Sequence, residues 1–113
     1  MILEELIHLF NEMKIPVESG VFSEVAPNQY CVLIPLSDEF ELYANNQPMI
    51  DVQEVRISFF SKGNYLNVKK KIINYLLRSE FTITSRVFLG FDKETNYYHV
   101  AIDVAKHYEM EEI

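Results

Sequence analysis

The chain has 113 residues, 49% of them hydrophobic and 13% aromatic, which is enough apolar material for one packed core and no second domain. Seventeen acidic side chains against ten basic ones give a net charge of −7, the wrong sign for neutralising a nucleic-acid backbone or an anionic membrane surface. The single cysteine, Cys31, excludes an intrachain disulfide, and an acidic start at Glu4 and Glu5 does not read as a signal peptide, so folding in a cytosol is expected.

In chain order, Leu3, Leu6, Ile7, Phe10 and Met13 recur at three- and four-residue spacing and predict a first helix that ends near Met13 or Lys14, ahead of Pro16. Residues 17–22 read as a short strand with Gly20 at a bend, and Ala26-Pro27-Asn28 reads as a turn. The run Tyr30-Cys31-Val32-Leu33-Ile34 predicts a strand, and residues 35–38 a turn. Glu39-Phe40-Glu41-Leu42-Tyr43 then alternates as a half-buried strand, and residues 44–51 read as a protruding polar loop.

Residues 52–60 alternate most clearly, with Val55, Ile57 and Phe59 set against Glu54, Arg56 and Ser58. Asn64 is a candidate N-cap for a second helix, whose apolar face comprises Leu66, Val68, Ile72, Ile73, Tyr75, Leu76 and Leu77. The run Lys69-Lys70-Lys71 reads as its solvated face. Residues 81–91 predict a strand with Phe81, Ile83, Val87 and Leu89 inward, residues 92–96 a hairpin loop, and residues 97–104 the last strand, with Tyr98, Val100, Ile102 and Val104 on one face. Residues 106–113 form an acidic tail of the one domain, 1–113. The order is α-β-β-β-α-β-β: an α+β fold with a largely antiparallel sheet of about five strands and both helices on one face.

The inventory for chemistry is thin. His99, Asp103 and His107 would stack on a helix as metal ligands, but on a strand His99 and Asp103 stand about 13 Å apart, too far for one metal. Cys31, inside an apolar run, reads as a small buried hydrophobe rather than a nucleophile. Three scattered glycines form neither a P-loop nor a dinucleotide fingerprint. No catalytic, cofactor-binding or metal residue is assigned, and the chain is not expected to be an enzyme. The aromatic residues on outward faces, Tyr43, Phe60, Phe88 and Tyr97, together with Arg56 and Arg86, suit a protein interface, unless a second layer covers that side of the sheet. Phe88 falls on the face of Arg86, and Tyr97 on that of His99.

Several segments together resemble a known family. They are Tyr43-Ala44-Asn45-Asn46 before a strand, Val55-Arg56-Ile57-Ser58-Phe59-Phe60-Ser61-Lys62, a helix ending in Tyr75-Leu76-Leu77, and the hairpin from Asp92-Lys93-Glu94-Thr95-Asn96 into Tyr97-Tyr98-His99-Val100-Ala101-Ile102. In this layout the chain resembles the tail-terminator and head–tail joining proteins of long-tailed bacteriophages and related prophages. The resemblance implies an α+β subunit of a homo-oligomeric ring, hexameric in that family, whose partners are tail-tube and head-connector proteins and through which DNA passes as cargo. It implies no cofactor and no membrane, residence in the bacterial cytoplasm during assembly, and then in the virion tail. Tyr43, Asn45 and Asn46 match the family pattern and are the ring contacts it suggests. The reading from charge alone is of another class: a small acidic binding module, such as an immunity or inhibitor protein, that masks a basic partner.

Overall fold

The computed structural model describes residues 1–19, 26–44 and 47–109, with side chains for all of these except 19, 37–44 and 47–49. Helix α1 (Ile2–Met13) is followed by strands β1 (Val17–Ser19), β2 (Gln29–Ala44) and β3 (Gln47–Ser61), helix α2 (Tyr65–Arg78), and strands β4 (Thr82–Asp92) and β5 (Tyr97–Glu109). The five strands form one sheet in the order β1-β2-β3-β5-β4. Every pairing is antiparallel except β1 with β2, where Val17, Glu18 and Ser19 run parallel to Cys31, Val32 and Leu33. The fold is α+β.

Both helices cover the sheet face made by Cys31, Leu33, Val55, Ile57, Phe59, Val100, Ile102 and Val104. From α1 the buried stripe is Ile2, Leu6, Leu9, Phe10 and Met13, so Leu3 and Ile7 stand at its margin rather than its centre. Only Ile72 and Leu76 of α2 are fully buried. Each fully buried aliphatic or aromatic side chain contributes about 1.5–3 kcal/mol. Gln53 joins this face as a polar clamp, its Oε1 accepting from the Ile2 backbone N–H at 3.0 Å.

The helices end alike. Lys14 (φ 59°) and Glu80 (φ 66°) adopt the left-handed conformation, and the next N–H in each case reaches back to close the turn, Ile15 to the Phe10 carbonyl and Phe81 to that of Leu76. Asn64 occupies the N-cap position of α2, but its side chain makes no capping hydrogen bond.

Three expectations are corrected. Residues 35–38 do not turn, because β2 continues through them with a register shift between Pro35 and Ser37. The Cys31 N–H donates to the Pro16 carbonyl on the β1 side, and alternation points the donor-less nitrogen of Pro35 to that same side, so the β2–β3 ladder loses nothing there.

Nor do Ala44 and residues 47–51 lie in a loop. Ala44 pairs with Gln47, Tyr43 with Pro48 and Glu41 with Ile50, since an antiparallel ladder satisfies its own backbone groups without needing a core. β3 meets β5 only from Ile50 onward, so the tip of the β2–β3 hairpin extends past the described end of β5 as an arm. The chain measures 54 × 27 × 24 Å.

The third correction is in β4. Ile83 pairs with Val104 on the helix face, but a bulge between Ile83 and Ser85 reverses the alternation, so that Arg86 (opposite Ile102) and Phe88 (opposite Val100) take that face. Val87, opposite Ala101, turns to the other side, and Leu89 is the extra residue of a second bulge. That second bulge is closed by Gly90 at φ 114°, a conformation that needs glycine. The following loop is one residue shorter than expected, because Asp92 still pairs with Tyr97.

Candidate interaction surfaces

The face away from the helices is laid out in rows across the strands. Tyr30, Phe60 and His99 are register partners on β2, β3 and β5, and their rings stack in sequence, with centroids 4.8 Å apart for Tyr30–Phe60 and 4.2 Å for Phe60–His99. Tyr97 meets Tyr30 edge-on at 5.4 Å, and its hydroxyl donates to the Pro27 carbonyl. The ammonium of Lys62 lies 5.0 Å from the centre of the Tyr97 ring. These rings, with Ala26, Asp92 and Thr95, line a cavity of about 370 Å³.

Two rows along, Arg56 faces Asp103, donating from Nε at 2.8 Å and from a terminal nitrogen at 3.1 Å. The carboxylate partner raises the guanidinium pKa further. Burial, reinforced by the Arg56 charge, lowers the pKa of His99, whose buried Nε2 has no hydrogen-bond partner among the described residues. On the helix side the Tyr108 hydroxyl donates to Glu5, and burial raises its pKa.

The interaction residues expected from sequence therefore separate. Phe60 and Tyr97 join one aromatic cluster, with Arg56 close enough to bias His99. Tyr97 is buried rather than outward, because its ring and hydroxyl anchor the segment at Pro27. Arg56 is engaged by Asp103, which leaves it half-exposed and fixed. The backbone of Tyr43 pairs in the arm, its side chain lies outside the described ones, and Asn45 and Asn46 lie outside the described residues.

Cys31 faces the core, and burial pushes its thiol pKa far up, which keeps it protonated and unreactive. His99, Asp103 and His107 all lie on β5, spaced along a strand. Among the described residues no three His, Cys, Asp or Glu side chains gather to hold a metal ion, and no helix is long and apolar enough to cross a membrane.

A different surface stands out, and alternation alone concealed it. β4 is an edge strand of eleven residues. It exposes Val87 (46%), Phe88 (51%), Leu89 (53%) and Phe91 (45%), and α2 beside it exposes Leu66 and Leu77. These are six of the nine large apolar side chains exposed among the described residues. Tyr65 joins the two elements, stacking on Phe88 at 5.5 Å and on Tyr98 at 4.8 Å, while Phe91 leans on Tyr98 at 4.8 Å.

The same stretch is also electrically distinct. Residues 65–91 carry five basic side chains and one acid, whereas the rest of the chain carries five basic and sixteen acidic. The signals in the sequence were the apolar residues on both faces of 87–91 and the lysines beside them. An apolar edge strand with unpaired backbone groups is a template for another strand.

Compared with known proteins, the chain matches no family model and no curated protein.

Proposed function

We propose that this chain is a ring-forming structural component of a phage or prophage tail, closing the tail tube or joining it to the head. The observation that carries the assembly part is the apolar edge at β4, a long strand with one side unpaired among the described residues and four large apolar side chains exposed. The tail part rests on the sequence resemblance in the arm, β3 and the closing hairpin. Nothing in the reading requires an active site. The aromatic row and the Arg56–Asp103 pair stiffen the sheet that carries the assembly surfaces.

The test is to purify the chain together with the products of its neighbouring genes and to examine the complex by electron microscopy and mass measurement. The reading expects rings of identical copies seated at one end of a tube. A tight one-to-one complex with a basic protein, without rings, would replace it with the acidic binding module, a reading favoured by the sixteen acids outside residues 65–91.

A further inference from the structure

We infer that the β4 edge receives the acidic β2–β3 arm of a second copy of this chain, so that copies join head to tail. The inference takes from the assembly reading only that the partner is another copy; the two surfaces that meet are argued from charge, exposure and sheet geometry.

β4 and α2 present Val87, Phe88, Leu89, Phe91, Leu66 and Leu77, with Arg86 exposed on β4 and Lys70 exposed on α2, whereas Lys71 turns to α1 and donates to the Met13 carbonyl. A partner that covers this surface must offer apolar contact, negative charge and a strand. The arm has all three. Ile34 and Leu36 on β2 are exposed. Asp38, Glu39 and Glu41 follow on the same strand, Asp51 and Glu54 lie on β3, and no Lys or Arg occurs between Lys14 and Arg56.

Among the described residues β1 covers only Cys31, Val32 and Leu33 of β2. The missing donor of Pro35 confines any added ladder to the residues beyond it, where the acids lie. Pairing β4 with β4 of a second copy would bring Arg86 towards its own kind, which disfavours a two-fold dimer. A basic apolar edge and an acidic arm are instead two different surfaces, and their union is a heterologous contact that can close into a ring.

The experiment is sedimentation equilibrium of the full chain alone, from low to high salt and up to its solubility limit. The expected result is concentration-dependent association that salt weakens. The pair K70E/R86E on the basic edge should weaken it about tenfold or more, D38K/E41K on the arm should do the same, and an equimolar mixture of the two variants should associate again as alternating copies, because the acidic arm of the first meets the unaltered basic edge of the second. All four changes in one chain should restore association, because the charges are exchanged rather than removed. Val87→Glu with Leu89→Glu, at exposed positions that leave the core intact, should abolish association while the circular dichroism spectrum stays unchanged.

A chain that is monomeric throughout at low salt overturns the inference, as does association indifferent to the arm variant or not restored by the fourfold exchange. Failure of the tail reading would look different: association as described, with no seating on a tube.

Discussion

β4 and β5 lie side by side in one sheet, with eleven and thirteen residues, and both alternate in sequence, yet their surroundings are opposite. β5 is hydrogen-bonded on both sides, to β3 and to β4, and every residue from Val100 to Ala105 is buried. Among the described residues β4 has a partner on one side only, and from Arg86 to Leu89 every side chain is exposed. Burial here follows position in the sheet more than residue type: Val87 and Val100 differ by nothing but their place. The interior strand carries much of the stability of the chain, and the edge leaves apolar surface uncovered by the described residues.

The comparison can be broken most severely by paired truncations. Ile102→Ala in β5 should destabilise the dilute chain by about 2–5 kcal/mol, through lost burial and the cavity left behind. Leu89→Ala in β4 should stay within about 0.5 kcal/mol. Urea denaturation of both variants checks this, and similar losses would show that β4 is part of the core rather than a free edge.

A smaller effect separates the two strands by pH. His99 of β5 is held neutral, its folded pKa lying below the usual histidine value because of burial and the Arg56 charge. The unfolded chain then binds more protons than the folded one as pH drops through about 6.5, so His99 stabilises the fold above that value, and stability falls with acidification until the folded pKa is passed. His99→Phe keeps a ring in the stack and should flatten this acid limb in a pH series of denaturation midpoints. A limb of unchanged slope would assign it to other groups.

The smallest effect lies at the turn into β4. Glu80 adopts φ 66° to close α2, a conformation that glycine takes without strain. Glu80→Gly should raise stability by up to about 1 kcal/mol and leave association intact, read as a shift in melting temperature. A decrease would mean that the Glu80 side chain contributes more than its backbone costs.

Much of the fold was legible in the sequence because periodicity reports one-sided burial directly. The α1 stripe, the inward set Val55, Ile57 and Phe59, and that of β5 all follow from spacing. What stayed hidden depended on backbone geometry that spacing does not encode. The bulge after Ile83 inverts β4 and carries Val87 away from the helix side, and proline at position 35 imitates a turn although its missing donor faces outward.

The candidate surface was half legible. Phe60 and Tyr97 do gather, but a buried hydroxyl contact at Tyr97 and a carboxylate opposite Arg56 are tertiary facts. The exposed edge was partly legible: Phe88 beside Arg86 was expected outward and is exposed, but Val87 and Leu89, read by alternation, looked like core.

Hydrogen exchange of the full chain at low and high concentration tests the central claim most directly. The account predicts that β5 amides exchange slowly at both concentrations, while the β4 amides not paired to β5 exchange fast when dilute and become protected when concentrated. Protection of β4 that equals that of β5 in the dilute chain, or that does not change with concentration, would contradict it.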